Sequence, residues 1–256
     1  MNRIKIRPLA EMGHVIDPAN TKTDSSVLPS TQKTRSSPAP PTSTGQLLDY
    51  SLFIPQHYEC QYAYPLIVWL HSRGGNHRQI YQVMPQLSSR NFAAVAIKTP
   101  SGDGWDCGAQ ALAQTLEKLE VAIDHAKLRL NINPQRIFVA GLEDGGSQAL
   151  QVAFTRPDLF AGVASLNGAL PNSSAPLSNW QRCRDLPLFL AQARDSKQFS
   201  ESQLCQQLRL LHTSGFSLTL RQYPGSDPIH SQVYPDLNTW IMETIGDSSG
   251  QNTIVQ

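Results

Sequence analysis

The sequence predicts an α/β fold built on a mostly parallel sheet with helices on both faces. Three observations carry this expectation. Apolar runs such as Tyr64–His71 (YPLIVWLH) and Phe92–Lys98 (FAAVAIK) show no polar alternation, which suits strands covered on both sides. Segments of helical periodicity separate the runs, as strand–helix–strand connections require. Arg136–Phe154 (RIFVAGLEDGGSQALQVAF) reads as a buried strand, a glycine-rich sharp turn and a helix, and the rest of the chain is arranged around it.

The elements follow in order. Residues 1 to 45 are rich in Ser, Thr, Pro, Asn and Lys and contain too little apolar surface to offset the entropy of ordering, so a disordered tail is expected there. Leu47–Pro55 alternates as an early strand, and Tyr64–His71 is the first central one. Between Asn76 and Ser89, Ile80, Val83, Met84 and Leu87 recur at helical spacing despite Pro85. Phe92–Lys98 is the next strand. Leu112, Leu116, Leu119, Ile123, Ala126 and Leu130 form the clearest amphipathic helix, ended by Asn131–Pro134. After the strand Ile137–Ala140, the turn and its helix to about Thr155 come a strand at Ala161–Leu166 and a short polar connector, Ala169–Asp185, with little or no room for a lid. A strand at Leu186–Ala193, a helix at Glu201–Leu211, a strand at Leu218–Tyr223 and a helix at Val233–Ile245 complete the domain, residues 46 to 246. Asp247–Gln256 reads as frayed.

Composition narrows the function. The formal charge is +1 and only 16% of residues are charged, which argues against nucleic acid or an anionic membrane surface as partner. The expected partner is a small neutral molecule or another protein. Cys60, Cys107, Cys183 and Cys205 form no CxxC pair, so neither a metal site nor a cofactor is expected, and free thiols point to a reducing compartment. No apolar run has signal-peptide or membrane-spanning length, and the expected location is the cytoplasm.

The turn Gly141-Leu142-Glu143-Asp144-Gly145 has the frame Gly-x-Ser-x-Gly, in which a strained strand-to-helix corner presents a serine hydroxyl above a sheet. Here a glutamate holds the serine position. Three stretches carry a resemblance to α/β-hydrolases of the phospholipase/carboxylesterase and polyhydroxybutyrate-depolymerase-like group. Tyr64–Asn76 (YPLIVWLHSRGGN) resembles their strand and oxyanion loop. Arg136–Pro171 resembles their elbow, its helix and the following strand. Leu186–Asp195 with Leu218–Trp240 resembles their acid strand, histidine loop and final helix. The resemblance covers residues 47 to 245 and implies ester- or thioester-hydrolysing chemistry, with an acyl-ester-like molecule as ligand.

Residue by residue, the resemblance places the nucleophile on Glu143, the triad acid on Asp195 and the histidine on Asp227, in Tyr223-Pro224-Gly225-Ser226-Asp227. His230 lies three residues further on, either as a displaced base or as a solvated or helix-capping residue. Ser72, Arg73, Gly74 and Asp144 fall on the oxyanion loop and its elbow donor.

The chemistry of these changes stands apart from the resemblance. Ester hydrolysis by this route needs a hydroxyl nucleophile, a near-neutral base and donors for the oxyanion. A carboxylate attacks an ester poorly, and an aspartate does not cycle as acid and base the way imidazole does. Loss of hydrolysis is the leading expectation. The alternatives are a hydrolase with Glu143 as carboxylate nucleophile and His230 as base, and an interaction protein acting through its N-terminal tail. Glu143 is also expected to fold toward the oxyanion donors with Arg73 as counter-ion, while acidic residues at a helix start have a plain stabilising role as well.

Overall fold

Seven strands form one sheet in the order β1-β3-β2-β4-β5-β6-β7. The computed structural model describes residues 49–251, apart from 101, 103, 107, 171–179, 197–200 and 227–228. These residues all belong to the unit Gln46–Gln256. The tail expected over residues 1 to 45, the Asp227 position and most of the connector at the lid position lie outside the described residues.

β1 (Tyr50–Phe53) pairs antiparallel with β3 (Ala93–Ile97), and every other pairing is parallel. β2 (Tyr64–Leu70) and β4 (Ile132–Leu142) occupy the middle, followed by β5 (Gly162–Leu166), β6 (Leu188–Ala193) and β7 (Leu218–Tyr223). The unbroken apolar runs are explained by two cores. Leu66, Val68, Leu70, Val95 and Val139 face α2 (Ala109–Arg129) and α3 (Asp144–Thr155), with Leu211 of α5 (Glu201–Thr213) on the same side. Ile67, Trp69, Ala94, Phe138 and Phe189 face α1 (Ile80–Leu87) and α6 (Val233–Gln251) on the other. A short α4 (Trp180–Arg184), within the stretch expected as a polar connector, precedes β6.

Local sequence accounts for most boundaries. Asn76 accepts a hydrogen bond from the Arg78 N–H at 2.9 Å and so caps the turn leading into α1. The buried residues of α1 are Ile80, Val83, Met84 and Leu87, the stripe read from spacing, and Pro85 lies within the helix. Two boundaries differ from expectation. β4 begins at Ile132 rather than Ile137, because the register with β2 shifts between Tyr64 and Leu66, and Pro134 is accommodated in that irregularity. α6 continues to Gln251, six residues beyond Ile245 and into the stretch read as frayed.

Candidate functional site

The site is built where five segments meet at the carboxyl ends of the parallel strands. At its centre β4 ends at Leu142 and α3 begins at Asp144, with only Glu143 between them. Glu143 has φ 54° and ψ −117°, a conformation few non-glycine residues adopt, at a cost of about 1–3 kcal/mol. Surrounding structure holds it there. Its N–H donates to the Leu166 carbonyl at 2.7 Å, and its own carbonyl accepts from the Ser147 N–H at 3.0 Å.

The glycines of the turn are required by close approach. A Cβ on Gly141 would stand 2.2 Å from the Gly145 carbonyl oxygen, and one on Gly145 would stand 2.2 Å from that of Leu70. Backbone thus packs on backbone between the elbow, β2 and α3, and this proximity places Glu143 beside the loop that follows β2.

That loop contains Ser72, Arg73 and Gly74. The Gly75 N–H donates to the Ser72 carbonyl at 3.0 Å, and Gly74 has φ 71°, so the chain turns tightly here. His71 is buried; its Nδ1–H donates to the Ser72 carbonyl at 2.9 Å, and the Trp105 Nε1–H donates to the His71 carbonyl at 2.7 Å. Burial pushes the His71 pKa down, and the Ser72 hydrogen bond opposes this only partly. The ring is therefore neutral near pH 7, with Nε2 buried and unpartnered among the described residues.

Arg73 was expected as counter-ion to Glu143. Its Nε donates to Asp144 Oδ2 at 2.6 Å, an exposed ion pair that ties the loop to the first residue of α3. The Asp144 hydrogen bond, with its charge, raises the Arg73 pKa further. At a helix start the Asp144 N–H has no intrahelical acceptor.

The acid and histidine segments also come together. Asp195 follows β6 and is exposed; its N–H donates to the Gly225 carbonyl at 3.0 Å, and the Arg194 N–H donates to the Tyr223 carbonyl at 2.8 Å. His230 is exposed at the start of α6, and its Nδ1 accepts from the Gln232 N–H at 3.1 Å. Among the described residues it makes no hydrogen bond to Asp195. Tyr223 donates to Asp236 Oδ2 at 2.6 Å, which anchors the base of this loop to α6. Asp227 lies outside the described residues.

Sequence reasoning missed the support beneath the acid. Asn167 is buried with φ 58°, and its Oδ1 accepts from the Ala193 N–H at 2.8 Å, holding the end of β6 just before Asp195. Gln192 donates to the Gly168 carbonyl at 3.0 Å, and Ser147 Oγ accepts from the Ala169 N–H at 2.8 Å. Ser147 thus serves the loop after β5. The dipeptide Asn167-Gly168 was the available signal, since both residues favour left-handed or crowded backbone.

Among the described residues no three metal-binding side chains cluster. Cys60, Cys183 and Cys205 are free thiols, and among the described residues no helix is long and apolar enough to cross a membrane. A groove of about 700 Å³ beside β1 and α2, lined by Tyr50, Glu117, Lys118 and His125, and one of about 630 Å³ lined by Arg182, Asp185, Trp240 and Glu243, both lie away from Glu143.

The comparisons with known proteins agree with this architecture. The phospholipase/carboxylesterase family model matches residues 103–242. The carboxylesterase SOBER1 of Arabidopsis thaliana is 23% identical over 143 residues, 54% of this chain and 61% of that protein. Poly(3-hydroxyalkanoate) depolymerase C of Paucimonas lemoignei is 32% identical over 95 residues, 37% of this chain and 22% of that protein. The chain thus spans between a fifth and about three fifths of these curated relatives. Among solved structures, SOBER1 matches with a TM-score of 0.59 and 19% identity over 72% of this chain and all of that one. The Bacillus cereus carboxylesterase matches with a TM-score of 0.62 and 12% identity over 76% of this chain and 93% of that one. Likeness at such identities concerns the α/β-hydrolase fold.

Proposed function

Because this chain belongs to the phospholipase/carboxylesterase family of α/β-hydrolases, we propose that it is a member without serine-esterase activity, which uses the family's site to bind rather than to hydrolyse. One observation carries the reading. Glu143, at φ 54° and ψ −117°, stands at the apex of the elbow, so a carboxylate occupies the position from which a hydroxyl would attack. The sequence at the histidine position, Asp227, removes the imidazole that would take the hydroxyl's proton. Against His230 as the missing base stand its exposed ring and the Gln232 N–H that its Nδ1 accepts from. This weakens the alternative of a carboxylate nucleophile served by a displaced histidine.

The ligand expected is a small neutral or acyl-ester-like molecule, or a segment of a partner protein. Supporting this is the retained start of α3, whose outward N–H groups and dipole favour a carbonyl oxygen or partial negative charge. The relatives named as a carboxylesterase and a depolymerase are consistent with ligands of that chemistry.

The decisive experiment compares hydrolysis of p-nitrophenyl butyrate by the wild type and by a Glu143→Ser, Asp227→His double variant. Background rates for the wild type and a gain of roughly tenfold or more in the double variant are expected, since oxyanion donors alone contribute about 10²–10³ where they persist. Wild-type turnover abolished by Glu143→Gln would overturn the proposal in favour of a carboxylate nucleophile.

A further inference from the structure

At the amino end of β2, across the sheet from the elbow, the loop Pro55–Ala63 encloses one face of a depression of about 290 Å³. Its walls combine one exposed aromatic ring, Tyr62, beside buried Tyr64, and the exposed Met242 with five planar polar side chains: Gln56, His57, Glu59, Arg90 and Asn91. β2 has seven residues, so this depression lies on the order of 20 Å from Glu143 along the strand. We infer that it is a carbohydrate-binding site, which takes a single pyranose ring of a neutral glycan against Tyr62.

The chemistry of the walls selects that ligand. Tyr62 is 46% exposed, and its ring stands perpendicular to that of buried Tyr64, at 83° with centroids 4.7 Å apart, which fixes its orientation. An exposed aromatic face attracts the weakly positive C–H groups of a sugar ring. Around it the amide of Gln56 and the imidazole of His57 offer both donors and acceptors, Asn91 accepts through Oδ1 while its Nδ2 donates to Asn238 Oδ1 at 3.3 Å, the Glu59 carboxylate accepts and the Arg90 guanidinium donates. That mixture suits hydroxyl groups, each of which donates and accepts. Glu59 and Arg90 cancel in charge, so an ion has no advantage over a neutral ligand. The volume is at the lower limit of about 300 Å³ for small-molecule sites, enough for one ring.

A lone exposed tyrosine is ordinary on a protein surface. What distinguishes Tyr62 is how firmly its loop is tied. The Gln56 N–H donates to the Ser89 carbonyl at 2.7 Å, and the Tyr62 N–H donates to the Glu59 carbonyl at 3.1 Å. Glu59 N–H donates to the Tyr64 hydroxyl at 3.1 Å. Asn131 donates twice, from its N–H to the Tyr58 hydroxyl at 2.7 Å and from Nδ2 to the Cys60 carbonyl at 3.0 Å. Tyr58 stacks on Tyr64 at 5.2 Å, and His57 is held at φ 57°. A loop ordered in advance loses little entropy on binding, which is what a shallow site for a weak ligand requires.

The test is an NMR titration of the ¹⁵N-labelled full chain with methyl β-D-glucopyranoside, methyl β-D-galactopyranoside and methyl α-D-mannopyranoside, with choline chloride as the cationic control. At least one glycoside should produce saturable shifts of the Gln56–Tyr62 and Arg90–Asn91 amides, with Kd on the order of 1 mM. Tyr62→Ala should weaken that binding roughly tenfold, while Tyr62→Phe retains it. Amide spectra unchanged elsewhere establish that both variants are folded. Absence of saturable shifts with all three glycosides would overturn the inference, as would shifts confined to Glu143–Gly146. Choline binding in the depression where the sugars do not bind would replace it with a cation site.

Discussion

Glu143 and the residues touching its turn show how one position constrains its neighbours. Its positive φ is sustained by backbone packing, and that packing leaves no room for side chains at Gly141 or Gly145. The Cβ contact at Gly145 would be with the Leu70 and His71 carbonyls, at 2.2 and 2.4 Å, and a strand carbonyl cannot rotate away. Gly145→Ala is therefore expected to lower stability by about 1–3 kcal/mol or more, read as a fall in urea midpoint at constant slope. His71 yields a pH prediction. Its unfolded pKa is 6.5 and its folded pKa is lower, so below pH 6.5 the unfolded state binds more protons. The stability linked to His71 is complete above 6.5 and declines as the pH falls toward the folded value. Replacing His71 by Asn keeps a donor toward Ser72 and removes the titration. Comparing urea midpoints at about pH 7.5 and 5.5 should show a smaller loss for His71→Asn than for the wild type.

At the level of elements, periodicity was a sufficient guide because most elements are single runs with one dominant pattern. The stripe Ile80, Val83, Met84 and Leu87 is the buried face of α1, and Leu112, Leu119, Ile123 and Ala126 are buried in α2. The start of β4 was not legible, because Pro134 reads locally as a break and only pairing with β2 makes Ile132 part of a strand. The length of α6 was likewise hidden by its polar end. α6 is secured at its middle: Trp240 is buried, with its ring 6.0 Å from that of Phe138 and 5.5 Å from that of Phe189. Gly162 leaves space for it, since a Cβ there would stand 2.9 Å from the Trp240 ring. Trp240→Ala should cost about 3–5 kcal/mol, measured by chemical denaturation, because the sheet face cannot close over the cavity.

For the whole molecule, the parallel sheet separates two regions of different character. The carboxyl ends of the strands gather the elbow, the Ser72–Gly74 loop, Asp195 and His230, while the amino end of β2 carries the tied loop with Tyr62. Ligand that stabilises the protein through one end should do so independently of the other. Tyr62→Ala is thus expected to leave unchanged both the wild type's background p-nitrophenyl butyrate rate and the gain produced by Glu143→Ser with Asp227→His, as parallel assays of the four proteins would show.

Apart from the short α4, the order and type of the elements, the glycines of the elbow and the acidic residue at its apex were all determined by sequence alone, because each depends on neighbours within a few positions. The partners within the site were decided only by tertiary structure. Arg73 meets Asp144 across 71 residues. Asn167 braces Ala193 across 26, and His230 turns to the N–H of Gln232 rather than to Asp195. Which distant partner a side chain reaches depends on the angle at which a strand enters its turn and on how closely two backbones pack. Those quantities are set by the whole sheet, and no local pattern of residues encodes them.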